Sequence, residues 1–221
     1  FPDVIHVPTG AGKTEAAVLP WLYRCRFHSD MAVRADIPRR LVLALPTRAL
    51  TDQTEERVRA WVAALGLADE VAIHVMMGGR LDPRAAHEWR VNLHRPTIVI
   101  GTIDMVVSRA LMRGYGMYRP SYPIDFALIA NGAQIVVDEV QLAGQATTTL
   151  RQIAAFQRRC GTAEPYGLTV MSATVDERLL DTVDNPFSAR TATVVGLSDD
   201  DRSGHLAGRL AATRTIHRLP E

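Results

Sequence analysis

Short runs of apolar or β-branched residues recur along the chain, at Val4–Val7, Leu41–Leu45, Val71–Met76, Thr97–Ile100, Gln134–Val137, Leu168–Met171 and Thr193–Val195. They are apolar at consecutive positions and do not alternate, as expected of strands covered on both faces. Between them lie stretches with a helical apolar period: Thr14–Phe27, Ala49–Leu65, Asp82–Leu93, Met105–Arg113, Thr147–Arg159 and Asp176–Thr182. A polar loop, Ser29–Pro38, follows the first of these. The alternation predicts an α/β domain, doubly wound around a mostly parallel sheet. At Ser198–Gly204 the pattern gives way to acidic and small residues. Residues 1–197 are therefore read as the domain, and residues 198–221 as a linker or a helix leaving it.

Composition narrows the classes. The 221 residues carry 25 Lys and Arg against 24 Asp and Glu, for a net charge of +1. That excludes a histone-like basic binder or an acidic tail protein, but leaves room for a local nucleic-acid groove. No apolar run is long enough for a transmembrane helix, so no membrane role is expected. The start, Phe1-Pro2-Asp3, shows no signal-peptide pattern and no initiator Met, so the chain is expected to be a piece of something longer. Cys25 and Cys160 lie far apart and are expected to be buried, reduced thiols of a cytoplasmic protein. All but one of the basic residues are arginine; the exception is Lys13.

That lysine sits where phosphate chemistry would need it. The first predicted strand runs into Pro8-Thr9-Gly10-Ala11-Gly12-Lys13-Thr14, and a helix follows. Gly10 and Gly12 let the backbone curl so that Thr9, Gly10, Ala11 and Gly12 can cradle an anion. The helix start adds unpaired N–H groups. Lys13 supplies a point charge for the β and γ phosphates of ATP, and the Thr14 hydroxyl suits Mg²⁺. The full Gly-rich pattern has a glycine where this chain has Val7. The competing reading is a glycine-rich turn with a solvated lysine. A second strand leads into Asp138-Glu139, at the sheet edge where doubly wound folds bind ligands. Asp138 is the candidate to hold the metal through water, and Glu139 to polarise the attacking water.

Three more strand ends carry hydroxyls, arginine or a helix start: Pro46-Thr47-Arg48, Gly101-Thr102-Ile103-Asp104 and Ser172-Ala173-Thr174. Such groups contact phosphate oxygens without reading bases. In this order, Pro8–Thr14, Pro46–Leu50, Gly101–Asp104, Asp138–Gln141 and Ser172–Thr174 resemble motifs I, Ia, Ib, II and III of superfamily two helicases. The resemblance spans almost the whole chain as a first RecA-like, P-loop NTPase domain. It implies that Pro46, Thr47, Arg48, Gly101, Thr102 and Asp104 hold a single-strand backbone. It also implies that Gln141, Ser172 and Thr174 couple that contact to ATP.

The stretches Gly101–Met117 and Asp138–Gly144 further resemble the CRISPR-associated helicase–nuclease of type I systems, subtype G (formerly U). In that family an ATP-driven translocase reels in single-stranded DNA from a Cascade-made R-loop, and a fused HD nuclease cuts it. The partners so implied are single-stranded DNA, a Cascade-type surveillance complex, a second RecA-like domain and the HD nuclease domain. Gln141 stands where most DExH relatives have His; it can bridge by hydrogen bonds but cannot titrate.

None of His6, His28, His74, His87, His94, His205 and His217 is followed by Asp, so nuclease chemistry is not expected within this chain. Alone, without a second RecA-like domain, it is expected to be a poor ATPase. Trp21, Trp61 and Trp89 read as core or interface aromatics, and Met76-Met77 as a buried strand end. Tyr115 and Tyr118, between Arg113 and Arg119, read as packing residues in preference to base-stacking platforms. Two other classes stay open: another superfamily two motor, such as an RNA helicase or restriction-type translocase, and a P-loop phosphotransferase or non-catalytic interaction module.

Overall fold

The computed structural model describes residues 1–79, 83–188, 191–203 and 206–210. The strands are β1 (Val4–His6), β2 (Arg40–Leu45), β3 (Ala72–Met76), β4 (Thr97–Thr102), β5 (Ala133–Val137), β6 (Gly167–Ser172) and β7 (Val194–Gly196). They form one sheet in the order β3-β4-β2-β5-β6-β1-β7, and every ladder between them is parallel. The register is continuous in the middle, where Leu41 faces Ile98 on one side and Gln134 on the other. The mostly parallel sheet expected from the sequence is thus parallel throughout.

Two cores explain the consecutive apolar positions. Because successive strand residues point to opposite faces, Val42 and Ala44 of β2 enter one core while Leu41, Leu43 and Leu45 enter the other. The second core is closed by Trp21 and Leu22 of α1 (Lys13–Leu22) and by Val58 and Val62 of α3 (Arg48–Ala64). Between these helices lies the short α2 (Met31–Ala35), capped by the Asp30 carboxylate, inside the segment expected to be loop. The first core is closed by α4 (Pro83–Val91), α5 (Ile103–Ala110), α6 (Tyr122–Ala130), α8 (Gln145–Cys160) and α9 (Glu177–Leu180), with the one-turn helix α7 (Val140–Ala143) before α8. Trp21 and Trp89 are core residues as expected, and Met76 and Met77 are buried. Cys25 is buried, and burial pushes its thiol pKa up. Cys160 is exposed at the last position of α8, contrary to expectation, because residues 158–160 at that end of the helix are all exposed.

Helix α6 was not foreseen. It joins α4 and α5 through a buried carboxylate: Asp125 accepts from Arg90 at 2.7 Å, Trp89 at 3.2 Å and Arg109 at 3.3 Å. After β7 the described chain holds only α10 (Asp199–Ser203) and α11 (Ala207–Leu210). Much of the expected 198–221 linker, with His205 and His217, lies outside the described residues, as do the first residue of the expected Asp82–Leu93 helix and residues 189–190. No described helix is long and apolar enough to cross a membrane.

Candidate nucleotide and nucleic-acid site

All parallel strands present their carboxyl ends on one edge of the sheet, so the loops that follow them share one surface. β1 feeds the loop at residues 8–12. Gly10 (φ 82°) and Gly12 (φ 90°) both sit in the left-handed region, where a side chain would be strained. Gly12 is the N-cap of α1 and supplies no side-chain cap to the helix's first N–H groups. Thr9 and Gly10 are exposed, and Ala11, Gly12 and Thr14 half-buried. Lys13 is not exposed, as its position in the loop suggests, but 7% accessible. Its ammonium folds across the sheet edge to Glu139 Oε1 at 2.5 Å, with Asp138 Oδ1 at 4.0 Å.

The acids are held by unusual backbone. Asp138 ends β5 by donating its N–H to the Ala44 carbonyl at 3.0 Å. Glu139 then turns into the left-handed region at φ 48°, a costly conformation for a non-glycine residue. Its N–H is satisfied by Asp138 Oδ1 at 2.9 Å. Burial raises the Asp138 pKa, and the neighbouring Glu139 charge adds to this, against the pull of Lys13. Burial would also raise Glu139, but hydrogen bonds from Lys13 and Gln141 and the Lys13 charge outweigh it and hold that carboxyl below its ordinary value.

From Glu139 the contacts continue away from the loop. Gln141 Nε2 donates to Glu139 Oε2 at 2.6 Å, and Gln141 Oε1 lies 2.7 Å from Ser172 Oγ. The Ser172 hydroxyl has one proton for Gln141 or for the Thr174 carbonyl, and it accepts from the Thr174 N–H at 3.0 Å. The amide of Gln141 donates at one end and accepts at the other, and it does so at every pH because it carries no titratable proton. The structure therefore links Lys13, Glu139, Gln141, Ser172 and Thr174 in one chain of polar contacts. Beside the loop, Arg57 of α3 pairs with Glu15 of α1. That pair carries no motif and was not found in the sequence.

The other expected residues gather on the same edge, past β2 and β4. Pro46, Arg48, Thr102 and Asp104 line a groove of about 690 Å³, together with Gly78, Arg113 and Tyr115. Thr47 is exposed, but its hydroxyl is occupied as the N-cap of α3, accepting from the Leu50 N–H at 3.3 Å. Gly101 is buried within β4 and does not line the groove. A Cβ there would stand 2.9 Å from both Met76 Cβ and the Met76 carbonyl oxygen, so its bareness lets β3 close on β4. Tyr115 and Tyr118 are 72% and 77% exposed, not packed as expected. Their signal in the sequence was the flanking arginines and glycines, which also suit a plain turn.

Comparison with known proteins agrees with this geometry. The family described as DEAD/DEAH box helicase matches residues 3–182. No curated protein matches the sequence significantly. Among solved structures, the DUF1998 helicase MrfA bound to DNA superposes with a TM-score of 0.59 at 17% identity, over 89% of this chain and 25% of that one. Mss116p bound to ssRNA and AMP-PNP gives a TM-score of 0.53 at 24% identity, over 80% of this chain and 33% of that one. The DEAD-box helicase Mss116 bound to ssRNA and UDP-BeF gives 0.56 at 24% identity, over 89% and 36%. This chain thus spans between a quarter and somewhat over a third of those structures. The identities carry the fold, and the family match over residues 3–182 carries the membership: the chain belongs to the DEAD/DEAH box helicase family, as a first RecA-like domain of superfamily two.

Proposed function

We propose that this chain is the ATP-binding first motor domain of an ATP-driven single-strand DNA translocase or helicase of type I CRISPR interference. The observation that carries the ATP half is the contact of Lys13, the chain's sole lysine, with Glu139 across the sheet edge. A glycine loop and an acid pair distant in sequence meet there, and the uncapped start of α1 faces the same place. Those groups fit a magnesium nucleotide: the loop from Thr9 to Thr14 for the phosphates, Thr14 and Asp138 for the cation. When bound, Mg²⁺ neutralises charge on the phosphate oxygens. Lys13 exchanges Glu139 for the β and γ phosphates, which frees the Glu139 carboxylate to orient the attacking water. Gln141 loses or shifts its Glu139 contact at the same moment and passes the change to Ser172 and Thr174.

The DNA half rests on the groove at Arg48 and Thr102. The CRISPR assignment rests on the likeness of Gly101–Met117 and Asp138–Gly144. In this reading residues 1–197 are the motor domain, and residues 198–221 lead to a second RecA-like domain. The HD nuclease and the Cascade-type complex act with the whole protein. The test is ATP hydrolysis by the full-length protein, stimulated by single-stranded DNA or RNA of equal length, and then by a Cascade-made R-loop. Stimulation by DNA and by the R-loop is expected. Preference for RNA would make it an RNA helicase. DNA stimulation without engagement of the R-loop would place the motor in another system. No stimulation by either strand would leave a phosphotransferase or an interaction module.

A further inference from the structure

The groove has a feature that backbone contacts leave unused. Between α5 and α6 the chain turns at residues 111–118, and the turn is fixed by its own hydrogen bonds. The N–H groups of Arg113 and Gly114 reach the Ser108 carbonyl at 2.8 and 3.4 Å, and the Tyr115 N–H donates to Ser108 Oγ at 2.7 Å. Met117 N–H closes on the Gly114 carbonyl at 2.9 Å. Met112, with φ 58°, holds a left-handed conformation that side chains rarely adopt. The root of the turn is anchored as well, since the Arg109 guanidinium pairs with buried Asp125 of α6.

On this fixed backbone the Tyr115 ring stands 72% exposed and lines the groove with Arg48, Thr102 and Arg113. Among the described residues no second ring or cation stacks on it. Tyr118, on the far side of the turn, borders a separate cavity with His74 and Asp125, so the two tyrosines do not share a task. An ordered turn loses little freedom when something binds to it. Unpaired bases offer π faces to exposed aromatics, and this stacking tolerates any sequence.

We infer that Tyr115 is a stacking platform for an unpaired base of the DNA strand whose phosphates lie at Arg48 and Thr102. The inference rests on the groove being the strand's site. It adds a contact to the base, whereas the motif residues touch only backbone. Arg113, beside the ring, is placed to neutralise the phosphate next to the stacked base.

The probe is a 12-nucleotide single-stranded DNA and the same strand with abasic sites, which keep every phosphate and remove every base. Both are titrated against the full-length protein and its Tyr115→Ala, Tyr115→Trp and Arg48→Ala variants. Tyr115→Ala should weaken the normal strand about five- to tenfold, leave the abasic strand unchanged and keep the salt slope. Tyr115→Trp should retain binding. Equal weakening of both strands by Tyr115→Ala would make the residue a support of the turn, and no weakening of either would make it an idle or protein-facing side chain; both overturn the proposal. Arg48→Ala should weaken both strands. If Arg48→Ala alone has that effect, the groove reading stands and the platform falls; if neither variant has any effect, both fall.

Discussion

Burying Asp138 beside Glu139 costs folding free energy, which the proposed ATP site would turn to chemistry. Burial raises the Asp138 pKa, so the folded chain holds that proton to higher pH than the unfolded chain. Stability therefore falls as pH rises from the ordinary aspartate value through the raised one, and the penalty is complete above it. Asp138→Asn never ionises. It should be indistinguishable from the parent in acid and more stable at neutral pH, by about 0.5–2 kcal/mol, while ATP hydrolysis is lost. Unfolding midpoints across pH 3–8 check this; a variant less stable at neutral pH would show that the charge is well compensated. Glu139 has the opposite sign: its lowered pKa contributes stability above the ordinary glutamate value that is lost as pH falls through the lowered one. Because Lys13 is committed to Glu139 at 2.5 Å, incoming phosphate must compete for it. Glu139→Gln should keep or raise nucleotide affinity while turnover drops about 10²–10³-fold. Nucleotide titration beside single-turnover hydrolysis decides; affinity falling with turnover would assign Glu139 to binding.

Elements were legible where burial is two-sided. Strands β2, β4 and β5 are buried at almost every position because each face meets its own core, and their consecutive apolar residues survive as the pattern in the sequence. Helix α6 did not show because its Phe126-Ala-Leu-Ile-Ala130 run is apolar without helical period, with its one buried acid held by arginines from neighbouring helices. The signs that were present, Pro123 in the first turn and Asn131-Gly132 after the last, are the usual boundary residues. The motifs were readable in order, but burial of Lys13 was not, since it depends on acids 125 and 126 residues away. Gly101 shows how a motif residue can serve the sheet. Its neighbour across the strand pair is backbone, which cannot swing aside, so Gly101→Ala should destabilise by about 1–3 kcal/mol. Chemical denaturation measures this; a neutral substitution would mean that β3 moves freely away from β4.

Across the whole molecule, the loops proposed to hold nucleotide follow β1, β5 and β6, and the groove follows β2 and β4, so both lie on one sheet edge. Arg48→Ala should weaken single-strand binding similarly on every sequence and reduce the salt slope by about 0.7. Thr102→Val, which removes a neutral hydrogen bond, should weaken binding with little change in slope. Basal hydrolysis should hold in both while DNA stimulation falls; unchanged stimulation in a salt series would return both loops to plain turns. The buried lysine has a further consequence for how the chain can be handled. A lysine-specific protease has one bond to cut here, after Lys13, and that bond heads α1 with its side chain folded under two acids. Cleavage must wait for the loop to open, so the rate of a single nick reports loop opening, and a bound nucleotide should slow it. The same holds for amine-directed labels, since Lys13 carries the only side-chain ammonium in residues 1–221. The scarcity of lysine thus turns an ordinary reagent into a clock for the phosphate loop.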